Sequence, residues 1–351
     1  MIFMTFHSRP LIAWTEKGLF CEAGGFYIDP HRAVDLAIVT HAHSDHARRG
    51  SKHYICEESG MDLLRTRIGK NISAQGFRFG EVFKLGDVEV SLHSAGHILG
   101  SAQVRIQHGF DVWVASGDYK RDSDPSCLPF EPVTCDTFIT EATFGTPKFV
   151  WEKNLAHGKM IYQWWEENVK ASGNSLLFGY SLGKAQRILA ELASFAQRPV
   201  LIHSSMKALT DCYRSQGIKL APTLDVMEVI ENLSDGELLN GELILAPPSI
   251  LKEGWAKYLG QYRTAFASGW MQGGTGFGRG SYDHGFVMSD HADWNDLNQT
   301  IMETGARRVF VQHRDGALVR HLRSKGLEAH SVEELNSENY SKLGGMNLRL
   351  I

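Results

Sequence analysis

In the first half of the chain, hydrophobic residues occur in short stretches whose patterns predict β-strands. Val88, Val90 and Leu92 share one face of a predicted strand, and the apolar run 112–115 predicts a second one. The apolar positions of 61–68 instead have helical spacing and predict a helix. The first half is therefore expected to consist mainly of sheet.

The middle of the chain changes to a strand–helix–strand pattern. An apolar strand is predicted over 175–180, and a strongly periodic helix over 185–196 follows it and is ended by Pro199. The next apolar run, 200–203, predicts another strand. Such alternation predicts a parallel α/β unit.

Two more strand–helix pairs are predicted near the end of the chain. Strands over 286–288 and 309–311 are followed by helices over 294–304 and 317–325, each with a glycine directly after it. The glycine-rich segment 273–280 precedes this section and is predicted to be a loop at a domain boundary.

The 351 residues are enough for about two domains of roughly 150 residues. With 43% apolar and 22% charged residues, the composition is that of a globular protein, not of a disordered or coiled-coil chain. No apolar run approaches the roughly 20 residues that span a bilayer, and positions 1–10 lack the layout of a secretory signal. We therefore expect a cytoplasmic protein without a membrane partner.

The five cysteines contain no C-x-x-C pair, which argues against a disulfide framework and against a thiolate zinc site. The net charge of −4 gives the chain as a whole no nucleic-acid signature. Two stretches, 47–84 and 303–325, nevertheless each carry a net charge of +4. They are either solvated faces or parts of a surface that attracts a polyanion.

The strongest chemical signal is the motif H-x-H-x-D-H, formed by His41, His43, Asp45 and His46 directly after the apolar stretch 36–39. A strand that ends there leaves His41 and His43 pointing the same way, with the other two residues on the following turn. Imidazole nitrogens and carboxylate oxygens are ligands that Zn²⁺ accepts. We therefore interpret the motif as metal-binding and not as a group of incidental surface histidines.

Three more candidate ligands follow other predicted strands. These residues are His97, Asp118 and His313. Each of them alone would be an ordinary loop residue. Their order after successive strand ends completes a pattern that is known from one superfamily.

In this order the residues resemble the ligand motifs of the metallo-β-lactamase superfamily. The resemblance implies an α/β fold, the αββα sandwich, in which loops at one end of two packed sheets carry the ligands. It implies one metal ion on His41, His43 and His97, and a second ion on Asp45, His46 and His313. Asp118 would bridge the two ions, and Asp29 would support the ligands from behind.

Further motifs resemble those of the β-CASP nucleases within this superfamily. Glu141 lies in a stretch similar to their acidic motif, His291 lies in one similar to their later histidine motif, and His313 falls at their third motif. The segment 180–188 resembles the start of their inserted domain. The resemblance implies a sandwich of residues 1–150 and 285–351, with a β-CASP α/β domain inserted at 151–284.

The resemblance implies hydrolysis of phosphodiester bonds with two divalent metal ions per chain, with Zn²⁺ in one or both sites or with Mn²⁺. His291 would protonate the leaving oxygen, and Glu141 would orient that imidazole and favour its charged form. Asp118, as the ligand that bridges the two ions, would be a third catalytic residue beside His291 and Glu141. The two basic stretches, one after His46 and one around His313, would line the groove that leads to the metals.

A competing interpretation comes from residues 179–183, a G-x-S-x-G sequence in the strand-to-helix context of a serine-hydrolase nucleophile. Ser181, Asp290 and His313 would have the chain order of a catalytic triad. We rank this interpretation last because it leaves the H-x-H-x-D-H motif without a purpose. Ser181, with Lys184 nearby, is instead predicted to bind a substrate phosphate at the start of a helix.

The chain most resembles the bacterial ligase-associated DNA 3′-exonucleases. Its first hairpin, at 15–21, lacks the glycine-rich signature of RNA-processing β-CASP enzymes, whereas His313 is typical of those enzymes. The expected function is processing of DNA 3′ ends in DNA repair, in association with an ATP-dependent DNA ligase and a helicase. The alternative is an RNA-processing endo- or exoribonuclease. A catalytically silent binding module is disfavoured because every expected ligand is present.

Overall fold

A computed structural model describes residues 10–252, 254–274, 282–312 and 316–336. These residues form three sheets with helices between and around them. The strands are β1 Ala13–Thr15, β2 Gly18–Cys21, β3 Phe26–Ile28, β4 Leu36–Ile38, β5 His53–Glu57, β6 Ala74–Phe77, β7 Val82–Leu85, β8 Val88–Ser94, β9 Ala102–His108, β10 Asp111–Ala115, β11 Thr137–Thr140, β12 Asn174–Phe178, β13 Val200–Ile202, β14 Thr223–Asp225, β15 Leu243–Ala246, β16 Tyr262–Ala267, β17 His284–Phe286, β18 Arg308–Val311 and β19 Glu328–Ser331. The α-helices are α1 Met61–Ile68, α2 His157–Lys170, α3 Lys184–Leu192, α4 Ser204–Ser215, α5 Val226–Glu231, α6 Trp294–Thr304 and α7 Ala317–Ser324.

Two of the sheets pack face to face around a shared hydrophobic core. The first has the strand order β1-β2-β3-β4-β5-β6, and the second has the order β19-β18-β11-β10-β9-β8-β7. Period-two patterning produces this arrangement, because alternate side chains of a strand point to opposite faces of the sheet. Val88, Val90 and Leu92 of β8 thus enter the shared core, where they join Ile38 of β4.

Helices cover the outer face of each of these sheets, which confirms the predicted αββα sandwich. The residues at the alternate positions of these strands point away from the shared core and contact the helices. Ala37 of β4 belongs to one cluster with Leu64 of α1, and Val309 and Val311 of β18 belong to another with Leu318 of α7. The helix α6 packs in the same cluster as α7.

The third sheet confirms the predicted α/β insertion between the two parts of the sandwich. Its order is β14-β13-β15-β12-β16-β17, and all neighbouring strands are parallel. A parallel sheet is buried on both faces, and its central strands β13 and β15 are accordingly apolar and buried throughout. Leu177 packs on the face covered by α2 and α3, and Leu176 packs on the opposite face. The domain limits at 151–284 stay a prediction, since β17 extends this sheet to Phe286.

Most predicted elements lie where the sequence placed them, with differences at their ends. The helix predicted over 294–304 is α6, and Gly305 ends it in the left-handed conformation. The strand predicted over 286–288 lies earlier, as β17, because the chain then leaves the sheet towards the candidate site. Part of the glycine-rich segment 273–280 lies outside the described residues. No described helix is long and apolar enough to cross a bilayer.

The fold brings several strand ends to one edge of the sandwich. The strands β10, β11 and β18 are parallel neighbours, and β8 runs in the same direction as β10 because both are antiparallel to β9. His97, Asp118 and Glu141 follow β8, β10 and β11 at this edge. In the first sheet β4 ends just before Thr40, whose carbonyl accepts a hydrogen bond from the amide of Ala102 at 2.8 Å. The edges of the two sheets are thereby joined.

The basic stretches do not both line this edge, so that prediction is wrong for part of each stretch. Arg308 lies at the opposite, amino end of β18 and pairs with Asp111 at 3.7 Å. Lys52 precedes β5 at the amino end of the first sheet and pairs with Asp35 at 2.7 Å. The two ends of a four-residue strand such as β18 lie about 13 Å apart, so Arg308 is about that far from the edge with the candidate site. Arg48 is exposed and lies just after the histidine motif, at the edge of the candidate site.

Candidate metal centre

Three histidines and one aspartate from separate strand ends bring their ligand atoms together at this edge. His41 Nε2 lies 3.0 Å and His97 Nε2 lies 3.1 Å from His43 Nδ1. Asp118 Oδ2 lies 3.6 Å from His41 Nε2 and 3.8 Å from His97 Nε2. The four ligand atoms all lie within 4.8 Å of one another. They are therefore close enough to contact a single metal ion together.

A short chain of hydrogen bonds orients the ring of His41 through Nδ1, the nitrogen that points away from the cluster. The Thr40 hydroxyl donates to Asp29 Oδ2 at 2.6 Å, and the Thr40 amide donates to Asp29 Oδ1 at 2.8 Å. The hydroxyl oxygen can then accept from His41 Nδ1–H at 3.0 Å. This arrangement leaves His41 Nε2, on the inward side, unprotonated, which is the form that binds a metal.

Two backbone carbonyls orient the other two imidazoles in the same way. His43 Nε2–H donates to the carbonyl of Leu182 at 3.1 Å, and His97 Nδ1–H donates to the carbonyl of Asp290 at 2.6 Å. The inward nitrogens, His43 Nδ1 and His97 Nε2, are again left without a proton. Both carbonyls lie outside the first part of the sandwich, so the later parts of the chain complete this cluster.

A second set of candidate ligands surrounds the same aspartate. His46 Nε2 lies 3.4 Å from Asp118 Oδ2 and 3.7 Å from Asp45 Oδ2. His46 Nδ1–H donates to Asp29 Oδ2 at 2.7 Å, so Asp29 lies behind two of the predicted ligands. His313, the predicted third ligand of this set, lies outside the described residues.

The charges of the cluster are balanced around Asp118. Burial lowers the pKa of His41, His43 and His97, so these imidazoles are neutral near neutral pH. Burial alone would raise the pKa of Asp118, but the neighbouring histidines, His46 and His291 first among them, together outweigh burial and hold the pKa of that carboxyl well below its usual range. The site therefore offers neutral imidazole nitrogens and an ionised carboxylate.

His291 and Glu141 form a hydrogen-bonded pair beside this cluster. His291 Nδ1 lies 3.1 Å from Glu141 Oε1 and 3.0 Å from Glu141 Oε2, and 3.9 Å from Asp118 Oδ2. The backbone amide of Tyr119 donates to Glu141 Oε1 at 2.7 Å and fixes the carboxylate. Burial alone would lower the pKa of His291, but Glu141 and Asp118 raise it to about 9. The imidazole is therefore protonated on both nitrogens and positively charged at neutral pH.

Sequence reasoning missed four contributors to this site. Thr40 was detectable as the residue directly before the histidine motif. Gly117 was detectable as the glycine directly before Asp118. The structure explains why it is glycine, because its φ is +56° and an added Cβ would lie 2.8 Å from the Thr40 side chain. No sequence signal marks the part that Leu182 and Asp290 play here, because their backbone carbonyls and not their side chains contact the histidines.

The residues predicted to bind a phosphate are not arranged alike. Lys184 is only 2% exposed, and its Nζ donates to Asp290 Oδ1 at 2.6 Å and to the Met288 carbonyl at 2.5 Å. The expectation that Lys184 binds a substrate phosphate is not supported, because its donors face the interior. Ser181 is partly exposed, with its hydroxyl oxygen 3.5 Å from that of Ser205. Asp290, the acid of the alternative triad, is instead paired with Lys184.

Two packed sheets with a His/Asp cluster at one edge, and an inserted parallel sheet behind them, define a metallo-β-lactamase fold of the β-CASP type. Comparisons with known proteins agree with this class. A protein of Opitutus terrae named probable DNA ligase is 31% identical over 329 residues, which cover 92% of this chain and 31% of that protein. Endoribonuclease YSH1 of Saccharomyces cerevisiae is 27% identical over 205 residues, which cover 46% of this chain and 26% of that protein.

The transcription termination factor FttA of Pyrococcus abyssi is 25% identical over 211 residues, which cover 49% of this chain and 32% of that protein. No protein-family model matches the chain. The chain belongs to the metallo-β-lactamase superfamily, in its β-CASP branch. It spans less than a third of the length of these three relatives.

Membership of this branch implies divalent metal ions, and the donor set fits them. Three neutral imidazoles and one carboxylate with converging ligand atoms match the preferences of Zn²⁺. Their outer nitrogens are hydrogen-bonded, which is the usual arrangement behind metal-binding histidines.

Removing the hydroxyl of Thr40 tests this arrangement. We expect Thr40→Val to weaken metal binding by about 10–100-fold, because His41 Nδ1 loses the partner that orients the ring. The measurement is competition for Zn²⁺ with a chromophoric chelator. Thr66→Val, at an exposed threonine of α1, is the control and should bind Zn²⁺ like the unmodified chain. Equal affinities of the two variants would contradict the role given to Thr40.

Proposed function

We propose that this chain is a metal-dependent nuclease that hydrolyses phosphodiester bonds at DNA 3′ ends. The observation that carries the nuclease part is the His291–Glu141 pair, with atoms 3.0 Å apart, beside a cluster of candidate metal ligands that share Asp118. Displacement at phosphorus needs stabilisation of charge on oxygen and a proton for the leaving oxygen. This site provides groups for both.

The chain would hold two divalent ions. The ligands of the first would be His41, His43, His97 and Asp118, and those of the second Asp45, His46, Asp118 and His313. Zn²⁺ suits these nitrogen and oxygen donors, and Mn²⁺ is the alternative. When bound, two such ions supply an activated water and stabilise the attacking and leaving oxygens of an in-line displacement.

His291 would act as the acid for the leaving oxygen. Its Nδ1 is hydrogen-bonded to Glu141, which leaves Nε2 to donate to a substrate atom. The ring side chain is 23% exposed, whereas Glu141 is 1% exposed, so substrate can reach the imidazole but not the carboxylate. Glu141 would therefore orient His291 and keep it charged, without touching the substrate.

DNA is the proposed substrate because of the relative that matches almost the whole chain. That protein is named probable DNA ligase, and the match covers 92% of this chain but only 31% of that protein. A protein named for ligation thus contains a region similar to this chain, which supports a role in preparing DNA ends for a ligase. The proposed partners are DNA, an ATP-dependent DNA ligase and a helicase.

An RNA-processing nuclease is the second candidate. It is favoured by relatives whose names refer to RNA cleavage, endoribonuclease YSH1 among them, although these match about half of the chain. A serine hydrolase has less support, because Asp290, its expected acid, is buried and ion-paired with Lys184.

The metal content is the first test of this proposal. We expect two divalent ions per chain, and we expect Asp118→Asn to weaken both sites because the lost carboxylate would be shared. Elemental analysis of protein prepared without chelators measures the count. Asp87→Asn, at an exposed aspartate of a hairpin turn, should leave the count at two. Finding one ion or none in the unmodified chain would rule out a dinuclear centre.

The second test separates the acid from the ligands. We expect His291→Ala to lower kcat by about 10²–10⁴ with the metal content unchanged, because a lost general acid affects the chemical step. Ser181→Ala is the comparison, and it should keep turnover within about tenfold and mainly raise KM, since one phosphate contact is lost. Loss of metal in His291→Ala would make His291 a ligand, and loss of all activity in Ser181→Ala would revive the serine hydrolase.

The third test addresses the substrate. Single- and double-stranded DNA and matched RNA, each labelled at the 5′ end, are incubated with the protein and Zn²⁺ or Mn²⁺. We expect a ladder of DNA that shortens stepwise from the 3′ end, with binding that weakens steeply as salt rises because basic side chains neutralise phosphates. Cuts within circular DNA, added as a further substrate, would contradict an exonuclease, and faster degradation of RNA than of DNA would favour the RNA-processing alternative.

A further inference from the structure

The start of helix α3, in the inserted domain, lies directly behind the candidate metal centre. The residue two positions before this helix, Leu182, accepts the hydrogen bond of His43 at 3.1 Å. The next residue, Gly183, has a φ of +85°, and an added Cβ would lie 2.5 Å from Ile98 and 3.6 Å from His43 Nε2. The positive φ and the close approach to Ile98 therefore require glycine at this position, which lies beside His43.

Two cations in the first turn of α3 hold the segment that follows the third sheet. Lys184 Nζ donates to the carbonyl of Met288 at 2.5 Å and to Asp290 Oδ1 at 2.6 Å. Arg187 Nη1 donates to the carbonyl of Ser289 at 2.5 Å and lies 3.5 Å from Asp290 Oδ1. Three successive residues, 288 to 290, are thus fixed by side chains of one helix.

The same segment contacts the candidate site on its other side. The carbonyl of Asp290 accepts the hydrogen bond of His97 Nδ1 at 2.6 Å, and the next residue is His291. A displacement of this segment would therefore turn one candidate ligand and move the candidate acid together.

The network continues to the loop that carries the shared aspartate. Arg187 Nε lies 3.6 Å from Asp124 Oδ2, and Asp124 is paired with Lys120, two residues after Asp118. Lys120, Asp124, Lys184, Arg187 and Asp290 are all buried. Buried ion pairs add little net stability compared with well-packed apolar residues. A cluster of five charges is therefore better explained by the geometry that it imposes than by the stability of the fold.

We propose that Lys184 and Arg187 are positioning residues of the metal centre, which orient His97 and His291 through the segment Met288–Asp290. The inserted domain is then a structural part of this centre and not only a surface that binds substrate. The inference rests on the metal-dependent nuclease proposed above, but it concerns residues that touch neither metal nor substrate.

The test measures metal affinity. The chain freed of metal is titrated with Zn²⁺ against a chromophoric chelator, and its melting temperature is recorded before Zn²⁺ is added. We expect Lys184→Met and Arg187→Met to weaken Zn²⁺ binding by about 10–100-fold, the usual effect of losing a group that orients a metal-binding histidine. Lys184→Arg keeps the charge and should restore most of the affinity.

Arg214→Met is the matched control. Arg214 lies in the same domain and also bonds to a backbone carbonyl and a side chain, namely those of Ala221 and Thr223, within that domain. This control should lower the melting temperature but leave Zn²⁺ affinity unchanged. If Lys184→Met does not fold, Arg187→Met and the isosteric Asp290→Asn decide the question.

The outcomes separate this inference from the proposed function. Folded variants at positions 184, 187 and 290 that bind Zn²⁺ like the unmodified chain would overturn the inference and leave the nuclease standing. An unmodified chain that binds no Zn²⁺ and no Mn²⁺ would overturn both. Weaker binding in these variants, with the control unchanged, supports the positioning role.

Discussion

One carboxylate oxygen, Oδ2 of Asp118, lies within 3.9 Å of a ring nitrogen of four different histidines. Burying this carboxylate costs free energy unless charges or hydrogen bonds compensate for the lost water. The imidazoles can compensate only if separate parts of the chain reach the same point. His41 and His46 come from the first sheet, His97 comes from the second, and His291 comes from the segment after the third. The site therefore depends on the correct placement of all three sheets.

The inserted domain does more than cover this site. Its backbone accepts the hydrogen bond of His43 at Leu182, and its helix α3 holds the segment that orients His97. Burial lowers the pKa of Lys184 to about 8, although Asp290 favours its charged form. Burying the lysine costs desolvation free energy, and its ion pair and hydrogen bond offset part of this cost. The carbonyl and carboxylate that it bonds to lie next to the candidate metal ligands. Sandwich and insertion thus form one unit at this edge.

The ligand cluster alone does not determine which nucleic acid is cleaved. DNA and RNA present the same phosphodiester to a metal centre, so the distinction must come from contacts to the sugar in the groove around it. Part of the positive charge that the sequence indicated lies elsewhere, as Arg308 and Lys52 at the far ends of their strands show. The proposal of DNA therefore rests on the relative named probable DNA ligase and on the first hairpin, while the chemistry itself suits either polymer.

The sequence by itself determined the strands, the parallel α/β unit and the candidate ligands, because period-two patterning and the spacing of His41, His43 and His46 are local properties of the chain. The αββα class and the insertion followed from the resemblance that these motifs carry. Gly305 likewise marked the end of α6. Only the tertiary structure decided that Lys184 faces Asp290 and not a phosphate, since burial depends on which elements pack together. It also decided that two backbone carbonyls orient the histidines. Every residue has a carbonyl, so no pattern of side chains could have distinguished them, and only the packing of α3 behind the site did.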